Sequence, residues 1–323
     1  MTRHSDDGQQ VVVLDNCALN DILLHKSLRD LAEDIRIGVI KQQIAVWTSP
    51  SLVDETVAGS RADPEAVRTK LAFLQAVSRG HMLKYPVDLI AWEGVHGRCP
   101  SDGDRFMGGD EEEAVYKQSL VVCDAGGIAR STRDGQEGPL RELIYEEKVA
   151  GQLAALEAAE ATRALIIRAF DASLAKDNGC PSVALGFRGR EAEVSLPVLG
   201  RWIRLISRED FADWVSDMMG SLGYKRIIAV DDLPLLAYTT SMAGYFLAKI
   251  AGNYVTGQTW KRNDTYDARY CIAASQADIL VTLDEQLRQT CLQMPYRSFE
   301  IGGVVDLRDL LVPASPEGLK EKT

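Results

Sequence analysis

The sequence predicts an α/β fold in which a parallel sheet is flanked by helices and interrupted by a mainly helical insertion. Two observations support this prediction. Apolar, β-rich runs alternate with capped amphipathic helices at both ends of the chain, and a long Ala- and Leu-rich helical pattern occupies its middle. Such alternation favours right-handed crossovers, with sites at the carboxyl ends of the strands. We therefore predict a discontinuous core of residues 1–90 and 231–323, and a helical insertion of residues 91–230.

The first part of the chain alternates regularly between strands and helices. The run QQVVVLD has the pattern of a buried strand and ends in the carboxylate of Asp15. Two later helices have clear start signals, because Ser49 precedes Pro50 and Asp63 precedes Pro64. The expected elements are a strand over 9–15, a helix over 20–38, a strand followed by a helix over 43–59, a helix over 63–80 and a strand over 81–90.

The alternation then breaks and resumes only near the end of the sequence. Gly and acidic residues dominate residues 92–113, which predicts an irregular loop whose DEEE run at 110–113 is solvated rather than metal-binding. The further expected elements are a long helix over 138–177, a Gly- and Pro-containing segment over 179–200, helices over 208–222 and from Asp231 to about Ala251, a helix over 262–276, a strand over 277–284, a short helix from Asp284, and a final strand and turn.

Composition excludes several classes of protein. The chain has 323 residues and a net charge of −11 with a pI near 5.0, so bulk electrostatics do not favour nucleic acid or membranes. Any nucleic-acid contact must therefore be local. The six cysteines form no C-x-x-C pair, so a structural zinc site is not expected. The polar start and the short apolar run at 11–14 predict a cytoplasmic protein with no membrane span.

Carboxylates stand where predicted strands end and where helices begin. Asp15 and Asp284 each end a predicted strand. Glu55 lies in the first turns of the helix after the second strand, and Asp267 lies in the first turns of the helix at 262–276. In a parallel sheet all four can meet at one edge, where like charges raise one another's pKa values. A hard divalent cation with oxygen ligands would relieve that repulsion, so the sequence predicts a metal-dependent hydrolase.

The order of these acids resembles the pattern of the PIN-domain nuclease family. The family pattern is D-[TSN]-[SNC]-x-L after a strand, then S-x5-E, then a helix that opens with Asp, then [ST]-x-D after a strand. The matches are LDNCAL at 14–19, Ser49 to Glu55, DARYCIAA at 267–274 and ILVTLD at 279–284. The sequence departs from the compact family pattern between Glu55 and Asp267, where the predicted helical insertion lies.

The resemblance implies a PIN-like fold and an endoribonuclease of the toxin or defence kind that uses Mg²⁺ or Mn²⁺. The implied catalytic residues and metal ligands are Asp15, Glu55, Asp267 and Asp284, with Asp264 as a further candidate ligand. Asn16 and Thr282 occupy positions that the family fills with amide or hydroxyl groups, and they would hold a carboxylate or a substrate phosphate. The expected partners are RNA in preference to single-stranded DNA, an inhibitory protein, and a second copy of the chain.

Each of these acids also has a structural interpretation. Asp15 and Asp284 could cap the helices that follow them, although a capping carboxylate can also be a ligand. Glu55 competes with its neighbour Asp54, since either charge would be favourable near a helix start. A second class of function therefore stays open, in which a PIN-like fold serves as a nucleic-acid or protein-binding module without enzyme activity.

The third acidic position is ambiguous, because Asp264 and Asp267 are three residues apart and share one face of a helix. The family pattern selects Asp267, whereas Asp264 is better placed as a cap. The N-D-x-x-D run that starts at Asn263 also resembles a less typical branch of PIN-like proteins. Both aspartates are therefore retained as candidate ligands.

Two short runs, RWIR at 201–204 and WKR at 260–262, mix aromatic and basic side chains. Such mixtures suit base stacking and phosphate contact, although a tryptophan in this setting is also common in a core. The candidate nucleic-acid contacts are Arg201, Trp202, Arg204, Trp260, Lys261 and Arg262.

Overall fold

A computed structural model describes residues 9–58, 63–78, 80–124, 151, 160–174, 182–187, 190–195, 203, 206–256 and 263–311. The described strands are β1 (Gln10–Leu14), β2 (Ile44–Trp47), β3 (Ser182–Phe187), β4 (Arg190–Ser195), β5 (Ile279–Val281) and β6 (Glu300–Gly302). The described α-helices are α1 (Asn16–Leu24), α2 (Arg29–Ile40), α3 (Pro50–Ala58), α4 (Pro64–Ser78), α5 (Pro86–His96), α6 (Asp102–Arg105), α7 (Gly109–Asp124), α8 (Glu160–Leu174), α9 (Arg208–Ser221), α10 (Ala237–Thr256), α11 (Asn263–Ala274), α12 (Glu285–Gln293) and α13 (Val304–Leu311). Short 3₁₀ helices cover Lys26–Leu28 and Val230–Leu235.

Four parallel strands form the central sheet in the order β2-β1-β5-β6. In this sheet Val12 is opposite Val46 on one side and Ile279 on the other. The residues of β1 from Val11 to Leu14 are all buried, as expected for a strand covered by helices on both faces. The predicted α/β fold with a parallel sheet is therefore confirmed.

The amino-terminal helical segment is divided, whereas the sequence predicts one helix over 20–38. α1 begins directly after Asp15 and ends at His25, whose backbone is extended. A 3₁₀ turn then leads into α2, whose apolar face packs Leu31 and Ile35 into the core. The helix therefore starts earlier than predicted, because the Asp15 side chain caps it.

The predicted strand over 81–90 is wrong. Only Met82 and Leu83 make isolated bridges, and the chain then enters α5 at Pro86. Proline suits the first position of a helix because its fixed φ is helical and its missing N–H is not needed there. Gly97, in the left-handed region at φ 67°, ends the helix.

The predicted loop over 92–113 is also mainly helical, because it contains the end of α5, all of α6 and the start of α7. The DEEE run lies in the first turn of α7, where the helix dipole favours negative charge. Glu112 is buried and accepts a 2.6 Å hydrogen bond from Ser78 Oγ, so it is not a solvated side chain. Glu111 caps the helix by accepting from Gly108 N at 3.1 Å.

The later predictions agree in part. α9 and α11 confirm the helices near 208–222 and 262–276, and α8 confirms the described part of the 138–177 helix. The segment over 179–200 contains the antiparallel hairpin of β3 and β4. The last strand leads into the helix α13 rather than a turn.

The described helices of residues 91–230 share their core with the sheet domain. α7 packs against α3 and α4, and α9 packs against α10, where Trp214 Nε1 donates to Ala243 O at 3.1 Å. α5 also spans the predicted boundary at residue 90. The division into core and insertion stays a prediction. Within the part of the chain that the structure describes, no helix is long and apolar enough to cross a membrane.

Candidate acidic site at the carboxyl edge of the sheet

The four predicted carboxylates lie around the carboxyl ends of β1 and β5. Asp15 follows β1 directly. Its backbone N–H donates to Val281 O at 3.1 Å and so continues the hydrogen bonding between β1 and β5. Asp284 follows β5 and is the N-cap of α12. Glu55 is presented by α3, which follows β2, and Asp267 by α11, which precedes β5. We call Asp15, Glu55, Asp267 and Asp284 the acidic edge.

Asp15 is buried, with 2% of its surface exposed, and both of its carboxylate oxygens are hydrogen-bonded. Oδ1 accepts from Ala18 N at 2.6 Å and caps α1, while Oδ2 accepts from the hydroxyl of Thr282. Burial raises the pKa of Asp15 to about 6 against the opposing effect of these two donors, and the charges of Glu55 and Asp284 raise it further. The same carboxylate of Asp15 therefore caps α1 and belongs to the acidic edge.

Glu55 is half-buried and is held from two helices. Asn16 Nδ2 of α1 donates to Oε1 at 3.4 Å, and the phenol of Tyr270 on α11 donates to Oε2. Thr56 Oγ1 in turn donates to Asn16 Oδ1 at 3.5 Å. Of the two adjacent acids that the sequence leaves as candidates, Glu55 is the one whose charge raises the pKa of Asp15.

Asp264 and Asp267 have separate environments on α11. Asp264 is 2% exposed and forms a 2.8 Å ion pair with Lys249 of α10, which is itself buried. Asp267 accepts from Tyr245 OH at 3.3 Å. Burial raises the pKa of Asp267 to about 7, with further contributions from Asp284 and Asp264. Asp264 is thus neutralised by a lysine, and Asp267 is the member of the pair that faces the other acids.

Asp284 combines a capping role with its position at the acidic edge. Its Oδ1 accepts from Gln286 N at 2.8 Å and Leu287 N at 3.0 Å, and its own N–H donates to Thr282 Oγ1 at 3.0 Å. Thr282 therefore connects Asp284 with Asp15.

Cys17 lies within the electrostatic reach of all four acids of the acidic edge, a position that the sequence reasoning did not identify. Burial raises the pKa of its thiol to about 11, followed by the charges of Asp15, Asp284, Glu55 and Asp267. The side chain is exposed on the first turn of α1. The charges of all four carboxylates therefore act on one and the same thiol.

The donor chemistry of the acidic edge fits a hard divalent cation. Carboxylate oxygens are the preferred ligands of Mg²⁺ and Mn²⁺, and each hydrogen-bonded oxygen of Asp15 retains a second lone pair. Burial is the main cause of the raised pKa values of Asp15 and Asp267, and the neighbouring acidic charges add to it; a bound cation would oppose both effects. Even so, among the described residues no group of three or more His, Cys, Asp or Glu side chains is already arranged to hold a metal ion.

Three further residues support the acidic edge without having been predicted: Tyr245, Lys249 and Tyr270. Tyr245 and Lys249 are four residues apart, so they lie on one face of α10 opposite Asp267 and Asp264. Polar side chains at this spacing in an otherwise apolar helix are a weak signal that sequence reasoning could have used. Tyr270 has no such signal, because its partner Glu55 is 215 residues away in the sequence.

The predicted nucleic-acid contacts cannot be placed at this edge. Arg201, Trp202, Arg204, Trp260, Lys261 and Arg262 all lie outside the described residues.

A second buried carboxylate, Glu93 of α5, lies away from the acidic edge and has a different environment. Its Oε1 accepts from Tyr238 N at 3.0 Å and Cys99 Sγ at 3.2 Å, and its Oε2 accepts from both the amide and the hydroxyl of Thr239 at 2.7 Å. Burial raises the pKa of Glu93, and these donors oppose the increase. Glu93 caps α10, whose first N–H groups have no partner within the helix.

Comparison with known proteins does not assign the chain to a family: no protein-family model matches it, and no curated protein or solved structure is significantly similar to it. The functional argument therefore depends on the geometry of the acidic edge and on the motif resemblance.

Proposed function

We propose that the protein is a metal-dependent nuclease that hydrolyses phosphodiester bonds, and that RNA is its substrate. The observation that carries the proposal is the acidic edge, where two strand ends and two helices bring four carboxylates close enough for all four charges to act on the thiol of Cys17. A fold gains no stability from gathering like charges, so their arrangement is best explained by a cation that binds there. The resemblance of these positions to the PIN-domain nuclease pattern favours an endoribonuclease.

A bound Mg²⁺ or Mn²⁺ would activate a water molecule and stabilise negative charge on the phosphodiester. Asp15, Glu55, Asp267 and Asp284 would hold the cation, and Asp264 would stabilise α11 through Lys249. Thr282 would orient Asp15, and Asn16 would orient Glu55. Tyr245 donates to Asp267, so it would fix the direction of that carboxylate.

We further propose a cytoplasmic location, an inhibitory protein partner, self-association and a role in toxin or defence systems. The partner, the self-association and the toxin or defence role are proposed from the family resemblance.

A second candidate function is a nucleic-acid or protein-binding module that has no catalytic activity. One observation favours it: among the described residues, no group of three or more potential ligands is preassembled for a metal. The two functions differ in whether the acidic edge binds Mn²⁺.

The deciding experiment incubates the purified protein with tRNA, mRNA and single-stranded DNA, each with Mn²⁺ or with EDTA. We expect cleavage of RNA that requires Mn²⁺ and is absent from an Asp15→Asn preparation purified in parallel, which controls for contaminating nucleases. Binding of RNA without cleavage would favour the second candidate. Cleavage that persists in EDTA or in the Asp15→Asn protein would contradict the proposed metal-dependent activity.

A further inference from the structure

Tyr270 is the point at which three separate elements of the acidic edge meet. Its side chain is 4% exposed, and its phenol donates to Glu55 Oε2 on α3. The backbone of Asn16, the first residue of α1, lies near the phenol and opposes the rise of its pKa. Tyr270 itself belongs to α11, one turn after Asp267. The Tyr270 hydroxyl thus links α11, which carries Asp267, to α3, which carries Glu55. It lies beside the start of α1, the helix that Asp15 caps.

We propose that Tyr270 is a positioning residue that fixes Glu55 within the acidic edge and thereby sets the affinity of the edge for a divalent cation. This inference rests on the proposed function. Glu55 is half-buried on a short helix, and its only other described donor is Asn16 at 3.4 Å. Without the phenol, the Glu55 side chain can turn toward solvent, and the cation loses one oxygen ligand at that corner.

If Tyr270 only filled space in the core, its aromatic ring would be sufficient. The hydroxyl is therefore the group to remove. Tyr270→Phe keeps the buried ring and deletes the donor. The chain offers a matched control in Tyr238, which is also buried but whose hydroxyl has no hydrogen-bond partner among the described residues. Tyr238→Phe therefore removes the same atom from a buried tyrosine away from the acidic edge.

The test measures Mn²⁺ affinity by calorimetric titration of the full chain, together with thermal unfolding and the Mn²⁺ dependence of RNA cleavage. We expect Tyr270→Phe to weaken Mn²⁺ binding by about 10- to 100-fold, the range typical of groups that orient a metal ligand. Excess Mn²⁺ should restore most of the cleavage rate. Tyr238→Phe should bind Mn²⁺ like the wild type.

A double-mutant cycle shows whether Tyr270 acts through Glu55. In a Glu55→Gln background, Tyr270→Phe should cause no further loss of Mn²⁺ affinity, because the ligand it positions is already gone. Equal losses in both backgrounds would overturn the proposal. If Tyr270→Phe does not fold, the Glu55→Gln protein alone is measured, and unchanged Mn²⁺ affinity there would also overturn the proposal, because Glu55 would then not be a ligand that Tyr270 could position.

The outcomes separate this inference from the proposed function. Wild-type protein that binds no Mn²⁺ overturns both. Wild-type protein that binds Mn²⁺ but cleaves no RNA overturns the nuclease function alone, and the affinity comparison still decides the role of Tyr270. Wild-type Mn²⁺ affinity in Tyr270→Phe overturns the positioning role alone.

Discussion

Glu93 of α5 and Asp15 at the end of β1 are both almost completely buried, with 0% and 2% of their surface exposed. Glu93 receives four hydrogen bonds and caps α10. Asp15 receives two and in addition lies in the electrostatic field of Glu55 and Asp284. No ion pair joins any residue of the acidic edge to a Lys, Arg or His in the described part of the chain. A buried carboxylate saturated by donors stabilises the fold, whereas carboxylates that face one another retain an energetic cost that a bound cation can remove.

The largest expected effect is on catalysis. Asp15→Asn should reduce the initial rate of RNA cleavage by at least about 100-fold, because the amide keeps the shape and the cap but removes a charged ligand. The far-ultraviolet circular dichroism spectrum should match the wild type. A fully active Asp15→Asn protein would show that Asp15 serves only as a helix cap and not as a metal ligand.

Substitutions of the two aspartates of α11 should have different effects: that of Asp264 on stability, and that of Asp267 on activity. Asp264→Asn leaves the buried Lys249 without its ion-pair partner and should cost ~3–5 kcal/mol in urea unfolding, with activity retained below the transition. Asp267→Asn should be inactive and about as stable as the wild type. The double change Asp264→Asn with Lys249→Met should recover part of the lost stability, since no unpaired charge remains. A stable but inactive Asp264→Asn protein would make Asp264 the metal ligand.

Glu93→Gln should destabilise the protein by ~2–3 kcal/mol, because the new amide hydrogens face the N–H and hydroxyl donors of α10. The RNA cleavage rate at a temperature well below the transition should not change. Glu113→Gln on the exposed side of α7 is the matched control, and its effect on unfolding should stay within about 0.5 kcal/mol. Loss of cleavage in folded Glu93→Gln would mean that Glu93 also serves the site.

The smallest expected effect is the pH dependence of the metal-free protein. The pKa values of Asp15 and Asp267 are raised in the folded state to about 6 and about 7. The folded state therefore binds protons more tightly than the unfolded state, and stability falls as the pH rises from about 4 to 7. Asp15 accounts for the clearer part of this loss, because solvent screens the contribution of the partly exposed Asp267.

Thermal unfolding in EDTA between pH 5 and 8 measures this effect. The melting temperature of Asp15→Asn should decline less than that of the wild type over this range, and saturating Mn²⁺ should remove the decline in the wild type. A wild-type melting temperature that rises with pH in EDTA, relative to Asp15→Asn, would contradict the proposed repulsion.

Local signals in the sequence were sufficient for the sheet and for most of the acidic edge. An unbroken apolar run predicts a strand buried on both faces, and Ser49 with Pro50 predicts the start of a helix, because caps and φ preferences act over a few residues. Since parallel strands end at one edge, the carboxylates that follow them were predictable as neighbours. The same local reasoning was wrong for 81–90 and 92–113, where tertiary packing places α5 to α7 against the core.

The tertiary structure decided what each carboxylate does. Sequence spacing treats Asp264 and Asp267 as equivalent, and only the approach of α10 assigns Lys249 to one and Tyr245 to the other. The same applies to Tyr270 and Glu55, which are 215 residues apart. Hydrogen bonds and ion pairs depend on distances of a few ångströms between elements, and no local pattern encodes those distances. The sequence by itself determined which residues carry charge at the edge of the sheet, and the packing of the helices determined which of those charges are neutralised.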